Sequence, residues 1–121
     1  MRIAIIGSRT FDNAALLKET LAKVKTPVTC IVSGGAEGAD TLGKHYAWDN
    51  GLDYEEYLPA WKQPWWSPSY CTRTAAAIRN SQIMEAAEGV IAFWNGDEKS
   101  GTAQAIRIAK SLGKPVHIVK F

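Results

Sequence analysis

Three short segments of this 121-residue chain join glycine to hydroxyl and backbone donors: Gly7-Ser8-Arg9-Thr10-Phe11-Asp12, Ser33-Gly34-Gly35-Ala36-Glu37-Gly38-Ala39-Asp40, and Asn95-Gly96-Asp97-Glu98-Lys99-Ser100-Gly101-Thr102. Each follows an apolar run and precedes a segment with helical spacing. Such a junction points unpaired N–H groups outward and carries about half a positive charge, so it holds a phosphate without any lysine. The glycines admit a ligand, or a neighbouring stretch of chain, to bare backbone. A purely structural reading stands beside this one: Gly34 and Gly35 make a tight turn, Gly38 lets helix pack on strand, and Asp40 caps the helix. Three such loops favour a ligand pocket over three unrelated turns. Neither ordinary nucleotide motif fits, because no Gly-Lys-Ser/Thr ending follows and the glycine spacing is not the dinucleotide fingerprint.

Other residues have chemical potential with alternatives open. Arg79 and Asn80 lie on the alanine-rich helix "TAAAIRNSQIMEAAE" and form either a solvated face or a wall of the pocket. Arg9 either binds an anion or pairs with Asp40. Trp61 is equally suited to stacking on a base and to packing, whereas Trp65, Trp66 and Tyr70 fit packing better. His45 and His117 have no partner at metal-ligand spacing, so no metal is expected. Glu55 and Glu56 are adjacent and point to opposite faces of a strand. No nucleophile-and-base set emerges, and spacing leaves the catalytic residues unknown.

These residues need a scaffold. "MRIAIIG", "VTCIVSG", "GVIAFWNG" and "KPVHIVKF" read as strands buried on both faces, as in a parallel sheet. A further strand fits "DYEEYLP". Helical spacing runs through Leu16, Leu17, Leu21 and Val24, through Leu42, Tyr46 and Ala47, and through Ala105, Ile108, Ala109 and Leu112; a longer helix spans about 69–87. The alternation predicts one α/β domain over residues 1–121, a three-layer, doubly wound, mainly parallel sheet of about five strands and four helices. "PAWKQPWWSPSY" breaks the rhythm as an ordered loop. Cys30 sits in an apolar run far from Cys71, no apolar stretch reaches membrane-spanning length, and a cytoplasmic protein with no membrane partner is expected. The net charge of +2 comes with no basic tract, which argues against nucleic acid.

The ordered set "GSRTF", "SGGAEGAD", "LPAW", "IRNSQIM" and "SGTAQAIRIAK" resembles the SLOG superfamily, the Rossmann-like domain of Smf/DprA and LOG proteins, and most closely its small stand-alone YspA-type branch. The resemblance implies glycine-rich loops that bind a nucleotide or a nucleotide-derived molecule such as ADP-ribose or an NAD derivative, with no other cofactor. It places Gly7, Ser8, Arg9 and Phe11 on one wall and Ser33, Gly34, Gly35, Ala36, Gly38, Ala39 and Asp40 on another. Trp61 is a further contact, Arg79 and Asn80 form a third wall, and Ser100, Gly101 and Thr102 form a phosphate-binding turn. LOG enzymes, which cleave an N-glycosidic bond, carry a glutamate where this chain has Ala105. DprA proteins, which bind single-stranded DNA, carry a second arginine where this chain has Ser81. Ala76 and Ala77 stand where the branch often has glycine and proline. The expectation is therefore a ligand sensor or sponge. The alternative is an N-glycosidase-type hydrolase, in which the resemblance puts Arg79 in the place of the LOG enzymes' helix arginine and Asp40, Asp97 or Glu98 would replace the glutamate; DNA binding is the second. The resemblance also implies a homo-oligomer.

Overall fold

The computed structural model describes residues 1–34, 38–57 and 75–121. Nine elements alternate: β1 (Arg2–Gly7), α1 (Ala14–Ala22), β2 (Cys30–Ser33), α2 (Ala39–Asp49), β3 (Asp53–Glu56), α3 (Ala75–Ala86), β4 (Gly89–Trp94), α4 (Gly101–Ser111) and β5 (Val116–Lys120). Of the helix expected over about 69–87, residues 69–74 lie outside the described residues, as does the tryptophan-rich loop. Neighbouring strands all pair in parallel, in the order β3-β2-β1-β4-β5.

Period-two alternation in the strands divides the core. Ile3, Ile5, Ile31, Ile91 and Phe93 pack with Leu17 and Leu21 of α1 and Ala39 and Ala47 of α2. Ala4, Ile6, Val32, Val90 and Ala92 pack on the other side with Ile83 and Met84 of α3 and Ala103, Ala105, Ile106 and Ala109 of α4. The result is a three-layer α/β, Rossmann-like arrangement, as the alternation requires. β4 is buried along its whole length and β1 through Ile3–Ile6, which explains why both read as unbroken apolar runs. β5 departs from that pattern. It lies at the sheet edge, with His117 and Lys120 exposed, because among the described residues β4 is its one partner strand.

Local chemistry sets the helix starts. Asn13 Oδ1 accepts from the Leu16 N–H at 3.0 Å, and Ser100 Oγ accepts from the Ala103 N–H at 3.1 Å, so each side chain satisfies a donor that the helix itself leaves unpaired. Glu55 and Glu56 do point to opposite faces. Glu55 pairs with Arg2, whereas Glu56 accepts from the Tyr54 hydroxyl at 2.9 Å and lies 3.9 Å from Lys44 Nζ. No helix among the described residues is long and apolar enough to cross a membrane.

Candidate functional site

The chain leaves β1 for the layer of α1 and α2, and leaves β4 for α4 in the opposite layer. These two strands are neighbours, so their outgoing loops diverge and open a crevice at the carboxyl end of the sheet, the switch point at which open α/β sheets bind ligands. A cleft of about 410 Å³ lies there, a volume within the usual range for small-molecule sites.

The β1–α1 turn supplies Gly7, Ser8, Arg9 and Thr10 to its lining, and α2 supplies Asp40. Across from them stand Arg79 and Asn80 of α3, and the start of α4 contributes Ser100, Gly101 and Thr102. Nine residues expected at a site are thus brought together from four parts of the chain. Thr10 and Asn95 of the flanking loops, Ala105 at the position of the LOG glutamate, and Ile6 and Ile83, which had no expected role, also line the cleft though none was expected to touch a ligand. For two of them a signal existed: Ile83 follows Arg79 by four positions and Ala105 follows Thr102 by three, the spacings that share a helix face.

Several expected contacts lie behind this surface. Phe11 is 1% exposed and stacks on Phe93 with ring centroids 4.3 Å apart, so it belongs to the core and does not line the cleft. Ala39 is fully buried beside it in the same cluster. Ser33 is fully buried too; the single proton of Tyr54 Oη goes to Glu56, so Ser33 Oγ donates to Tyr54 Oη at 2.6 Å. Gly38 faces the neighbouring loop, and a Cβ there would stand 2.4 Å from the Ser8 carbonyl oxygen. Gly34 lies beneath Arg79: a Cβ on it would stand 2.4 Å from Nη1. At both glycines the close neighbour is the protein's own chain. Gly35, Ala36 and Trp61 lie outside the described residues.

Arg79 dominates the electrostatics. Its Nη1 donates to the Gly34 carbonyl at 3.1 Å and its Nε to Asn80 Oδ1 at 2.9 Å. Among the described residues no carboxylate comes within ion-pair distance of it. Burial lowers its pKa, the nearby Asp40 carboxylate raises it, and the charge of Arg9 lowers it again. The group remains a cation, since arginine keeps its proton in proteins. Asp40 Oδ2 accepts from the Gly34 N–H at 3.1 Å, so this carboxylate helps hold the root of the glycine-rich segment. Arg9 is exposed and, among the described residues, forms no ion pair with Asp40. Ser8 Oγ is buried and has no hydrogen-bond partner among the described residues. Ala105 presents a methyl group to the cleft wall and is 2% exposed. No cluster of His, Cys, Asp or Glu among the described residues has the arrangement of a metal site.

This arrangement can receive an anion between a half-buried guanidinium and the opening turn of α4. Two comparisons with known proteins bear on it. The chain is similar to the gene 61 protein of Mycobacterium phage D29, at 26% identity over 118 residues that cover 95% of this chain and 93% of that protein. The family model for the YspA, cpYpsA-related SLOG family matches residues 1–63, which hold β1 to β3 with the Gly7–Arg9 turn and Asp40, whereas Arg79 and α4 follow the matched span. That span is more than half of the 121 residues, and with the switch-point cleft behind it the chain belongs to the YspA, cpYpsA-related SLOG family.

Proposed function

We propose that this protein binds a nucleotide-derived, phosphate-bearing ligand in the switch-point cleft, as a sensor or a sponge. The observation that carries the reading is Arg79: a half-buried cation with no carboxylate at ion-pair distance among the described residues, in a cleft whose opposite side is a helix start. A desolvated cation gains more from an anion than an exposed one does, because water screens the pair less. The buried Ser8 hydroxyl adds a second donor, and leaving such a group unpaired costs about 1–3 kcal/mol, which a bound acceptor would recover. Family membership is consistent with a nucleotide-related ligand.

Binding is favoured over hydrolysis by where the carboxylates stand. Asp40 is committed to the Gly34 N–H, Asp97 Oδ1 accepts from the Lys99 N–H at 2.9 Å, and neither Asp97 nor Glu98 lines the cleft. Ala105 offers no acid or base.

A thermal-shift panel of AMP, ADP-ribose, NAD and cyclic dinucleotides tests the reading. A ligand at a hundred times its dissociation constant adds about 2.7 kcal/mol, which for a domain of this size raises Tm by roughly 10 °C. Arg79→Ala should weaken binding by about 10- to 100-fold, the worth of one or two charge-assisted hydrogen bonds. A flat panel, or full binding by the Arg79→Ala variant, would show that the cleft is not the site.

A further inference from the structure

Gln104 lies in the first turn of α4, half-buried and outside the cleft lining. Its Oε1 accepts from Asn80 Nδ2 at 3.4 Å, and Asn80 Oδ1 in turn accepts from Arg79 Nε at 2.9 Å. The direction of this chain is set at its arginine end. An arginine Nε–H only donates, so the Asn80 atom that meets it must be the carbonyl oxygen, which turns the amide nitrogen toward Gln104. Gln104 must then present its own oxygen. Arg79 Nη1 is held separately by the Gly34 carbonyl, and Nη2 meets no acceptor among the described residues.

We propose that Gln104 is a positioning residue for the cleft: by holding the Asn80 amide in one orientation, it fixes the Arg79 guanidinium and keeps Nη2 for an anion. The proposal rests on the reading of the cleft as an anion site. Gln104 sits one turn from the start of α4, and its main-chain N–H donates to the Ser100 carbonyl at 3.2 Å. The helix start and the guanidinium, which come from different helices, are therefore set relative to each other before any ligand arrives. Such preorganisation removes ordering cost from binding.

Glutamate at position 104 keeps an acceptor for Asn80, lysine offers only donors and inverts the amide, and methionine offers neither. Two readouts on the full chain decide the matter: hydrogen exchange of the Arg79 Nε–H, followed by NMR on arginine labelled with nitrogen-15, and the affinity for inorganic pyrophosphate. We expect Gln104→Glu to keep the slow exchange of the unaltered protein, and Gln104→Lys and Gln104→Met to speed it by about tenfold, the equivalent of one ordinary hydrogen bond. Simple charge would make the lysine variant bind pyrophosphate more tightly than the glutamate variant; the positioning chain requires the reverse order. Unchanged exchange in both Gln104→Lys and Gln104→Met, or tighter pyrophosphate binding by Gln104→Lys than by Gln104→Glu, overturns the proposal. If the lysine variant does not fold, the methionine variant decides by the same exchange measurement. The expected exchange pattern with no pyrophosphate binding by the unaltered protein overturns the anion role and the reading of the cleft together, and leaves the Gln104–Asn80–Arg79 chain established.

Discussion

Replacing Gly38 by alanine measures how closely the first two loops pack. Gly38 has φ +79° and ψ −125°, a conformation that residues with a Cβ seldom adopt. A Cβ there would also stand 2.4 Å from the Ser8 carbonyl oxygen and 2.7 Å from that of Arg9, and neither can yield without moving the β1–α1 turn. Gly96 supplies the control, with φ +93° and nothing within 4 Å of its Cβ position. At Gly96 alanine carries only the conformational cost, about 1–2 kcal/mol. At Gly38 overpacking adds about 1–3 kcal/mol. An unfolding entropy near 2.1 cal/mol/K per residue makes each kcal/mol worth about 4 °C in a chain of this length. Gly96→Ala should therefore lower Tm by about 4–8 °C and Gly38→Ala by about 8–20 °C. Urea unfolding should show the same ranking in midpoint with an unchanged slope, since neither variant alters the surface exposed on unfolding. If Gly38→Ala cost no more than Gly96→Ala, the close approach of the two loops would be wrong, and with it the account of why glycine stands at that position.

Two further outcomes follow from the packing. Phe11→Ala should cost about 3–5 kcal/mol of stability, as expected for a buried aromatic; a variant as stable as the parent in urea would return Phe11 to the list of ligand contacts. Tyr54 gives an alkaline signature. Burial raises its hydroxyl pKa well above the ordinary value of 10, the bond from Ser33 opposes this, and Glu56 adds to it. Below pH 10 folded and unfolded chains both hold the proton, so the contribution is fully present; above it the unfolded chain releases the proton first and stability falls until the folded chain titrates as well. Tyr54→Phe should flatten that fall when urea midpoints are compared on either side of pH 10, and an equally steep decline in the variant would assign it to another group.

The strands and helices were legible because each obeys a local rule. β1 and β4 lie in the middle of a parallel sheet with a helix layer on either face, so nearly every residue is apolar and the run announces itself. Asn13 and Ser100 cap their helices by an equally local rule, a short polar side chain meeting the open N–H groups of a first turn, although neither was read as a cap from the sequence. Glu55 and Glu56 had to part, since neighbours on a strand always do. Tertiary structure decided the rest. No local rule states that β4 returns beside β1, yet that choice creates the switch point and gathers Arg9, Asp40, Arg79 and Gly101 around one cleft. Arg9 and Phe11 stand two positions apart in one motif, and only the path of the turn sends the first to the surface and the second onto Phe93. β5 reads like a central strand but sits at an edge, because strand order depends on which face each crossover covers. The sequence allowed a ligand or another stretch of chain to approach the backbone at Gly34 and Gly38, with a plain turn as the alternative. That the visitors are the Arg79 side chain and the Ser8 and Arg9 carbonyls depends on contacts between segments far apart in the chain, which no local pattern records.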